Sequence, residues 1–364
     1  MYKFSVVLPC FNITKYLNKC LDSIFNNGFS QPIEIILVND GSTDGFERVV
    51  SEYFLADCSG EYVELIHKNN KVVIVNKVNA GLSDARNCGM KHCTGEYILF
   101  IDPDDYVLNG YFEYLSIALH EECDMFILGY IKSQEDSKGN LVKEKVIFPI
   151  KKYDYSSNVE VVNNLFGDYF GISFDDLEYG DGNFLPQKEH GGVWRVCYRK
   201  KFLDENALIF DVGLKTNEDR FFNSRCIACA KRVRSDNKAF YHYSVRDTGL
   251  FNNRNKKDMI NNKLISLKIR KEIVEKLKND GYNVGIRSYA GSNVLSAIEL
   301  MGNLSIRYYD VCRYLKNADV KKSIKIIRYI GNIKFDISLF LLKNKMSWLL
   351  FVTIRVLKIF GISI

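Results

Sequence analysis

The stretch Tyr97-Ile98-Leu99-Phe100-Ile101-Asp102-Pro103-Asp104-Asp105 decides how the rest of the chain is read. Its five leading apolar residues lack polar alternation, which predicts a strand buried on both faces of a mostly parallel sheet. Pro103 has no N–H to donate and ends the ladder. Three carboxylates therefore stand at the carboxyl end of a central strand, where open α/β sheets bind ligands. Asp102 and Asp104 are two residues apart and point to the same side of extended backbone. Carboxylates this close repel unless a cation lies among them. Such oxygen ligands suit Mg²⁺ or Mn²⁺, with substrate phosphate supplying further oxygens. The same residues also read as a solvated acidic turn, and the stretch by itself leaves both readings open.

Outward from this stretch, strands alternate with helices. Phe4-Ser5-Val6-Val7-Leu8 reads as a strand ended by Pro9. A helix follows, capped by Thr14, with Leu17, Leu21, Ile24 and Phe25 at helical spacing. Residues 33–38 form a second apolar strand that enters the turn Asn39-Asp40-Gly41-Ser42-Thr43-Asp44-Gly45 and then a helix. Tyr62–His67 is a third strand, and residues 110–120 and 124–130 a further helix and strand. This alternation predicts an open, mostly parallel α/β sheet. Between the third strand and the acidic stretch, residues 79–89 read as a short helix carrying Arg86. A guanidinium there can bind phosphate through two donors, or pair with a neighbouring acid such as Asp84 or Asp102. The segment 170–192 is long and rich in Gly and Asp, as functional loops are, and reads as part of an acceptor wall. Trp194 reads either as a stacking platform for a sugar or as core. No Gly-x-Gly-x-x-Gly follows the first strand, and the turn at Asp40 has no Lys, which argues against a dinucleotide-binding fold and a P-loop.

With 364 residues, 47% hydrophobic and 26% charged, the chain has a globular composition and room for two or more structural units. Its ten cysteines read as reduced thiols of a cytosolic protein. Cys226 and Cys229 form one C-x-x-C without the second pair that zinc requires. Charge is unevenly spread. Residues 251–364 hold 22 of the 50 Lys and Arg and 8 of the 44 Asp and Glu, leaving 28 bases and 36 acids for residues 1–250. An acidic body with a basic tail predicts an anionic surface as partner of the tail. The last residues, 346–364, are apolar but interrupted by Arg355 and Lys358, and charges at mid-bilayer cost a few kcal/mol each. A helix lying in the interface fits this pattern, with Trp348 as anchor and its bases on lipid phosphates; a terminal helix docked on protein is the alternative. The bases accompany an apolar tail and not interleaved aromatics, which argues against nucleic acid as partner.

Four segments, taken together, resemble the successive signatures of family 2 glycosyltransferases: Ser5-Val6-Val7-Leu8-Pro9-Cys10-Phe11-Asn12, Val38-Asn39-Asp40-Gly41-Ser42-Thr43-Asp44, Asn79-x-Gly81-x-Ser83-x-Ala85-Arg86-Asn87-x-Gly89 and Phe100-Ile101-Asp102-Pro103-Asp104-Asp105. These are inverting enzymes of the GT-A fold. The resemblance is close over residues 1–105 and looser to about residue 250. It implies a GT-A type open, mostly parallel sheet flanked by helices, followed by a helical basic C-terminal region. Residues 1–105 would be the nucleotide-sugar-binding half and 106–250 the acceptor-binding half with the catalytic base. Residues 251–364 would be helical, ending in a membrane-associating segment at about 346–364.

Residue by residue, the resemblance implies that Pro9 and Phe11 hold the nucleobase, with Phe11 stacking on uracil. Asp40 would contact base or ribose, and Asp84 and Arg86 would approach the ribose and pyrophosphate. Asp102 and Asp104 match the DxD pair, the second acid touching a Mn²⁺ or Mg²⁺ ion on the diphosphate. In Leu214-Lys215-Thr216-Asn217-Glu218-Asp219-Arg220-Phe221-Phe222 the acids alone read as stabilisers of a helix N-terminus. The resemblance implies that Asp219 is the catalytic base, with Glu218 the second choice. It also implies that Arg246 neutralises the leaving group and that His242 is a further metal or phosphate contact, although Thr248-Gly249 stands where the family often has a serine. The implied function is inverting transfer of a sugar from a nucleotide-diphosphate sugar, such as a UDP-sugar, to an acceptor hydroxyl. The acceptor would be a lipid-linked oligosaccharide of capsule or other surface polysaccharide, and the protein cytoplasmic, peripheral on the inner face of the plasma membrane and capable of oligomerising. The alternatives are a nucleotidyltransferase that makes the sugar nucleotide, whose Gly-rich basic loop is missing at Pro9-Cys10-Phe11-Asn12, and an inactive scaffold of a polysaccharide assembly complex.

Overall fold

The computed structural model describes residues 2–135, 141–149, 152–170, 191–245, 256–282, 285–329 and 333–360. Two units are compact by themselves: Met1–Val161 with Gly191–Asn252, and Val162–His190 with Asn253–Ile364. Residue 105 lies inside the first unit, which holds residues 1–105 and part of the expected second half, 106–161 and 191–250.

The strands of the first unit are β1 (Phe4–Cys10), β2 (Glu34–Asp40), β3 (Tyr62–His67), β4 (Asn70–Lys77), β5 (Tyr97–Phe100), β6 (Tyr106–Val107), β7 (Met125–Glu135), β8 (Leu141–Ile147), β9 (Asp154–Tyr155), β10 (Val196–Arg199) and β11 (Val233–Val245). They form one sheet in the order β3-β4-β2-β1-β5-β10-β7-β11-β6, with β8 on β7 and β9 on β11. The run β4-β2-β1-β5 is parallel, and every residue of β1, β2 and β5 is buried, as continuous apolar runs require. Beyond β5 the sheet is mixed: β10 is antiparallel to both neighbours and β7 is parallel to β11. Helices α1 (Thr14–Phe25), α2 (Phe46–Phe54), α3 (Leu82–His92), α4 (Tyr111–Ala118), α5 (Asn158–Phe170), α6 (Lys200–Glu205) and α7 (Glu218–Cys229) connect the strands, α5 running across the division between the units.

Three local expectations change. β1 does not stop at Pro9 but continues to Cys10. Its pairing with β5 ends at Val7, so the donor that Pro9 lacks falls on a side with no strand to receive it. β4 has no counterpart in the sequence reading. It returns from β3 through Lys68-Asn69, both with positive φ (48° and 64°), the geometry of a type I′ hairpin turn made here without glycine. Thr14 does not cap α1 with its own side chain. Asp44, from the loop after β2, accepts from Thr14 N and Oγ1 at 2.9 Å each and so caps that helix from outside.

β1 has β2 on one side and β5 on the other, so the chain order reverses between them and opens a crevice at their carboxyl ends. α3 packs over β1 and β2 beside this crevice. A Cβ on Gly89 would collide with the Val7 side chain and lie 3.4 Å from Val38, so glycine sets how closely α3, and Arg86 with it, approaches the sheet.

The second unit is helical: α8 (Lys256–Asn279), α9 (Gly285–Gly302), α10 (Tyr308–Leu315), α11 (Ala318–Ile326), α12 (Ile333–Lys343) and α13 (Ser347–Ile359) surround a core that includes Leu267, Val294, Tyr314, Leu339 and Phe351. Among the described residues no helix is long and apolar enough to cross a membrane. Arg355 and Lys358, expected on lipid phosphates, are engaged elsewhere. Arg355 donates to the carbonyls of Met301 (3.2 Å), Asn303 (2.7 Å) and Ile306, and Lys358 to that of Gly302 (3.0 Å). The last carbonyls of α9 have no intrahelical donors, and two cations at that negative end satisfy them. The face of α13 that carries Phe351 and Arg355 thus meets protein.

Replacing Gly89 by alanine should cost about 1–3 kcal/mol through overpacking against Val7, offset by up to about 1 kcal/mol of helix propensity. A lower urea midpoint at unchanged slope is the expected outcome.

Candidate active site

The acidic strand end is built by its one fully buried member. Asp105 accepts from Tyr241 Oη at 2.8 Å and from Ser244 N at 2.8 Å, both on β11. Tyr241 Oη in turn accepts from Asp102 N at 3.1 Å. Burial, then the charges of Asp104 and Asp102, push the Asp105 carboxyl well above the usual carboxylate range. Asp105 is therefore a bracket that ties the turn after β5 to β11. With it turned inward, Asp102 and Asp104 remain partly exposed at the crevice, as the alternation along the strand predicts.

Arg86 is buried to 1% exposure at this strand end, and its forked guanidinium joins two elements. Nη2 donates to Asp102 Oδ1 at 3.0 Å, and Nη1 donates to Asp219 Oδ1 on the first turn of α7, with Glu218 Oε1 at 3.8 Å. The Phe210 ring lies 5.3 Å from the guanidinium carbon. Of the two readings of Arg86 from sequence, the carboxylate partner is the one realised. Both of its terminal nitrogens are engaged by acids. Its effect on Asp219 is electrostatic as well as geometric. Burial raises the Asp219 carboxyl, Arg86 pulls it down, Glu218 and Asp102 push it up, and together they leave it raised to about 7. Asp219 Oδ2 accepts from Val193 N at 3.3 Å, and a fifth of its side chain stays open. A fixed carboxylate that is half-protonated near neutral pH can take a proton from a hydroxyl. Oε2 of Glu218 is buried without a hydrogen-bond partner among the described residues.

Asp40 stands at the end of β2 and serves the loop before α3. It accepts from Ala80 N (2.9 Å), Gly81 N (2.8 Å) and Lys77 Nζ (2.5 Å). It is an anion at a helix N-terminus and is almost fully buried. Lys77 Nζ also reaches Asp84 Oδ2 at 2.8 Å, so one lysine joins both acids. Lys77 escaped the sequence reading because β4, whose last residue it is, was not read as a strand. Pro9 is buried in β1, whereas Phe11 just beyond it is 44% exposed and presents a ring at the crevice. The loops behind it are latched: Asn12 Oδ1 accepts from Thr43 N at 2.8 Å, and Asn12 N donates to Ser42 Oγ at 3.1 Å.

Two further expectations are redirected. His242 is buried, stacked on Tyr106 with ring centroids 4.2 Å apart, and placed 3.4 Å from Ser133 Oγ and 3.5 Å from Glu144 Oε2. Trp194 is core: it stacks on Tyr241 and Tyr243 at 4.6 and 5.1 Å and meets Tyr130 edge-on. Among the described residues no three His, Cys, Asp or Glu side chains cluster tightly enough to hold a metal ion. Two partly exposed carboxylates are too few for a self-sufficient cage, and they suit a cation that brings phosphate oxygens with it. Arg246 and residues 171–190 of the acceptor wall expected over 170–192 lie outside the described residues.

Replacing Arg86 by methionine leaves facing acids without their cation and should lower stability by on the order of 3 kcal/mol. The Asp219 carboxyl then rises further above its unfolded value, so the folded state holds a proton that the unfolded state releases. The deficit should therefore widen as pH is raised through and above about 7, in urea unfolding on either side of that value. Arg86→Lys should recover only part of it, because a point charge cannot span two carboxylates as a fork does.

The family model for glycosyl transferase family 2 matches residues 5–180. Glycosyltransferase GlyA of Streptococcus pneumoniae serotype 4 is 29% identical over 256 residues, covering 68% of this chain and 31% of GlyA. The minor teichoic acid biosynthesis protein GgaB of Bacillus subtilis is 30% identical over 286 residues, 76% of this chain and 27% of GgaB. The chain thus spans less than a third of the length of these two relatives. A crystal structure of S. aureus TarS 1–349 in complex with UDP-GlcNAc superposes with a TM-score of 0.62 at 18% identity, over 99% of this chain and 92% of that one. At such identity the likeness establishes the fold. With the four motif segments gathered at the reversal point of a mixed sheet, residues 5–180 belong to glycosyltransferase family 2, and the chain has the GT-A fold.

Proposed function

We infer that this chain is an inverting glycosyltransferase that moves a sugar from a UDP-sugar to an acceptor hydroxyl. The observation that carries this reading is the Arg86 bridge, which sets a carboxyl with pKa near 7, Asp219, beside the strand-end acid Asp102. Asp219 takes the proton of the acceptor hydroxyl while that oxygen attacks the anomeric carbon. The bond from this carbon to the diphosphate oxygen breaks from the opposite face, its electron pair leaves on the nucleoside diphosphate, and the configuration inverts. Arg86 keeps the Asp219 carboxylate pointed at one place, which supplies orientation. Glu218 stands behind it as the second acid at the site. Phe11 offers a face to the uracil ring. Asp84 contacts the ribose, while Asp40, through Lys77 and the amides of Ala80 and Gly81, holds the loop that leads into the first turn of α3, where Asp84 sits.

Mn²⁺ or Mg²⁺ would be held by Asp102 and Asp104 together with donor diphosphate oxygens, and when bound it offsets the negative charge gathering on the leaving group. The contacts of His242 with Tyr106, Ser133 and Glu144 favour a supporting place for it behind this pair. The UDP-GlcNAc bound by TarS supports a UDP-sugar donor, and the role named for GgaB supports a cell-surface polymer as product. A lipid-linked glycan acceptor and a peripheral position on the inner face of the plasma membrane complete the reading, supported by the basic, apolar C-terminal helices.

Asp219→Asn should lower kcat by about 10²–10⁴-fold while donor binding by calorimetry changes little. In the wild type, kcat/KM should rise with pH through about 7 as Asp219 loses its proton, and the variant should lose this limb. Near-normal turnover of Asp219→Asn removes it as the base. Transfer should also fail in EDTA and return with Mn²⁺ in the wild type, with a raised donor KM in Asp104→Ala. Activity that survives both treatments removes the cation.

A further inference from the structure

α12 and α13 bury one side each in the same core, through Phe335, Leu339 and Leu342 on the first and Leu350, Phe351 and Ile354 on the second. The opposite sides are apolar too. Ile337 and Phe340 of α12 are more than half exposed, and on α13 Trp348 is 60% and Ile359 70% exposed, with Phe360 just beyond at 76%. Large apolar side chains set at helical spacing on two neighbouring helices make a surface that calls for a partner.

The charge around this face says which partner. From residue 321 to 345 the chain has seven bases, Lys321, Lys322, Lys325, Arg328, Lys334, Lys343 and Lys345, against one acid, Asp336. All seven are exposed, Lys343 also donating to the Ile327 carbonyl at 2.7 Å. A second copy of the chain would bring the same positive surface against itself and be repelled. Arg355 and Lys358, spent on the carbonyls of α9, are not available to the partner. Bases flanking exposed Trp, Phe and Ile are the composition of a helix that lies in the headgroup region of an anionic bilayer.

We propose that the outer faces of α12 and α13 together dock this protein on an anionic lipid surface, with Phe340, Trp348, Ile359 and Phe360 entering the interface and Lys334, Lys345 and the α11 lysines meeting lipid phosphates. This deepens the peripheral location inferred above and rests on that part of it alone. The test is sedimentation of the full chain with vesicles of phosphatidylcholine containing phosphatidylglycerol, against vesicles of phosphatidylcholine only. Binding should require the anionic lipid and weaken with salt. Trp348 emission should shift to the blue on binding. Trp348→Phe should abolish that shift, because the other tryptophan, Trp194, is already buried. The double change Phe340→Ser with Ile359→Ser should weaken vesicle binding by on the order of tenfold or more, because each substitution removes a large apolar side chain from the interface. An unchanged thermal midpoint shows that the variant is folded. Absence of wild-type binding to anionic vesicles overturns the proposal, as does equal binding by the double variant. An oligomer in solution that the same substitutions dissolve to monomers also overturns it, by assigning the face to a second copy. Donor turnover without vesicles is read separately, so failure of docking and failure of the glycosyltransferase reading are distinct results.

Discussion

The buried guanidinium of Arg86 is the interaction on which the site depends. Taking a charge out of water is expensive, and it is tolerated only where opposite charges and hydrogen bonds replace the lost hydration. Here Asp102 and Asp219 do so directly and Glu218 stands nearby. The three acids converge on this one cation from the end of β5 and the start of α7, and their mutual repulsion keeps the Asp219 carboxyl high. A helix over the sheet, a strand in its centre and a helix from the far part of the first unit are thereby locked into one arrangement. The chemistry assigned to Asp219 follows from the same balance. Burial raises its carboxyl and Arg86 restrains the rise, leaving a group near 7 and not one protonated throughout the neutral range.

Around this centre, several acids that resemble ligand contacts are also structural brackets. Asp105 holds the strand-end turn to β11 through Tyr241 and Ser244. Asp40 receives two backbone amides and a lysine, and Asp44 caps α1 from another loop. Loops at the carboxyl ends of parallel strands carry backbone donors that no ladder satisfies, and short carboxylates satisfy them at close range. What these brackets achieve is the exposure of their neighbours. Phe11, Asp84, Asp102 and Asp104 are left partly open because Asp40 and Asp105 are consumed inside.

The helical unit obeys the same logic with the opposite charge. Its cations at Arg355 and Lys358 close the end of α9, where carbonyls gather, while the lysines between 321 and 345 stay on the surface. The sequence shows Arg355 and Lys358 as interruptions of an apolar run, and it could not say that a helix terminus waits beside them.

The buried parallel strands, the acidic end of β5 and the acidic first turn of α7 were legible in the sequence because each is local. Continuous apolar runs, a proline after a strand and acids at a helix start act over a few residues, and the four motif segments carried the family resemblance. β4 was not legible, since its turn reaches positive φ without glycine, and Lys77 was lost with it. The fate of Arg86 was equally beyond the sequence. A guanidinium binds phosphate and carboxylate by the same fork, and only the meeting of α3 with α7, more than a hundred residues apart, chose between them. Trp194 was decided the same way, by aromatic partners on β7 and β11 that no spacing along the chain reveals. By itself the sequence determined the parallel strands around β1 and the kinds of side chain at the crevice. The tertiary structure decided which charges neutralise one another, because that pairing depends on distances between segments remote in the chain.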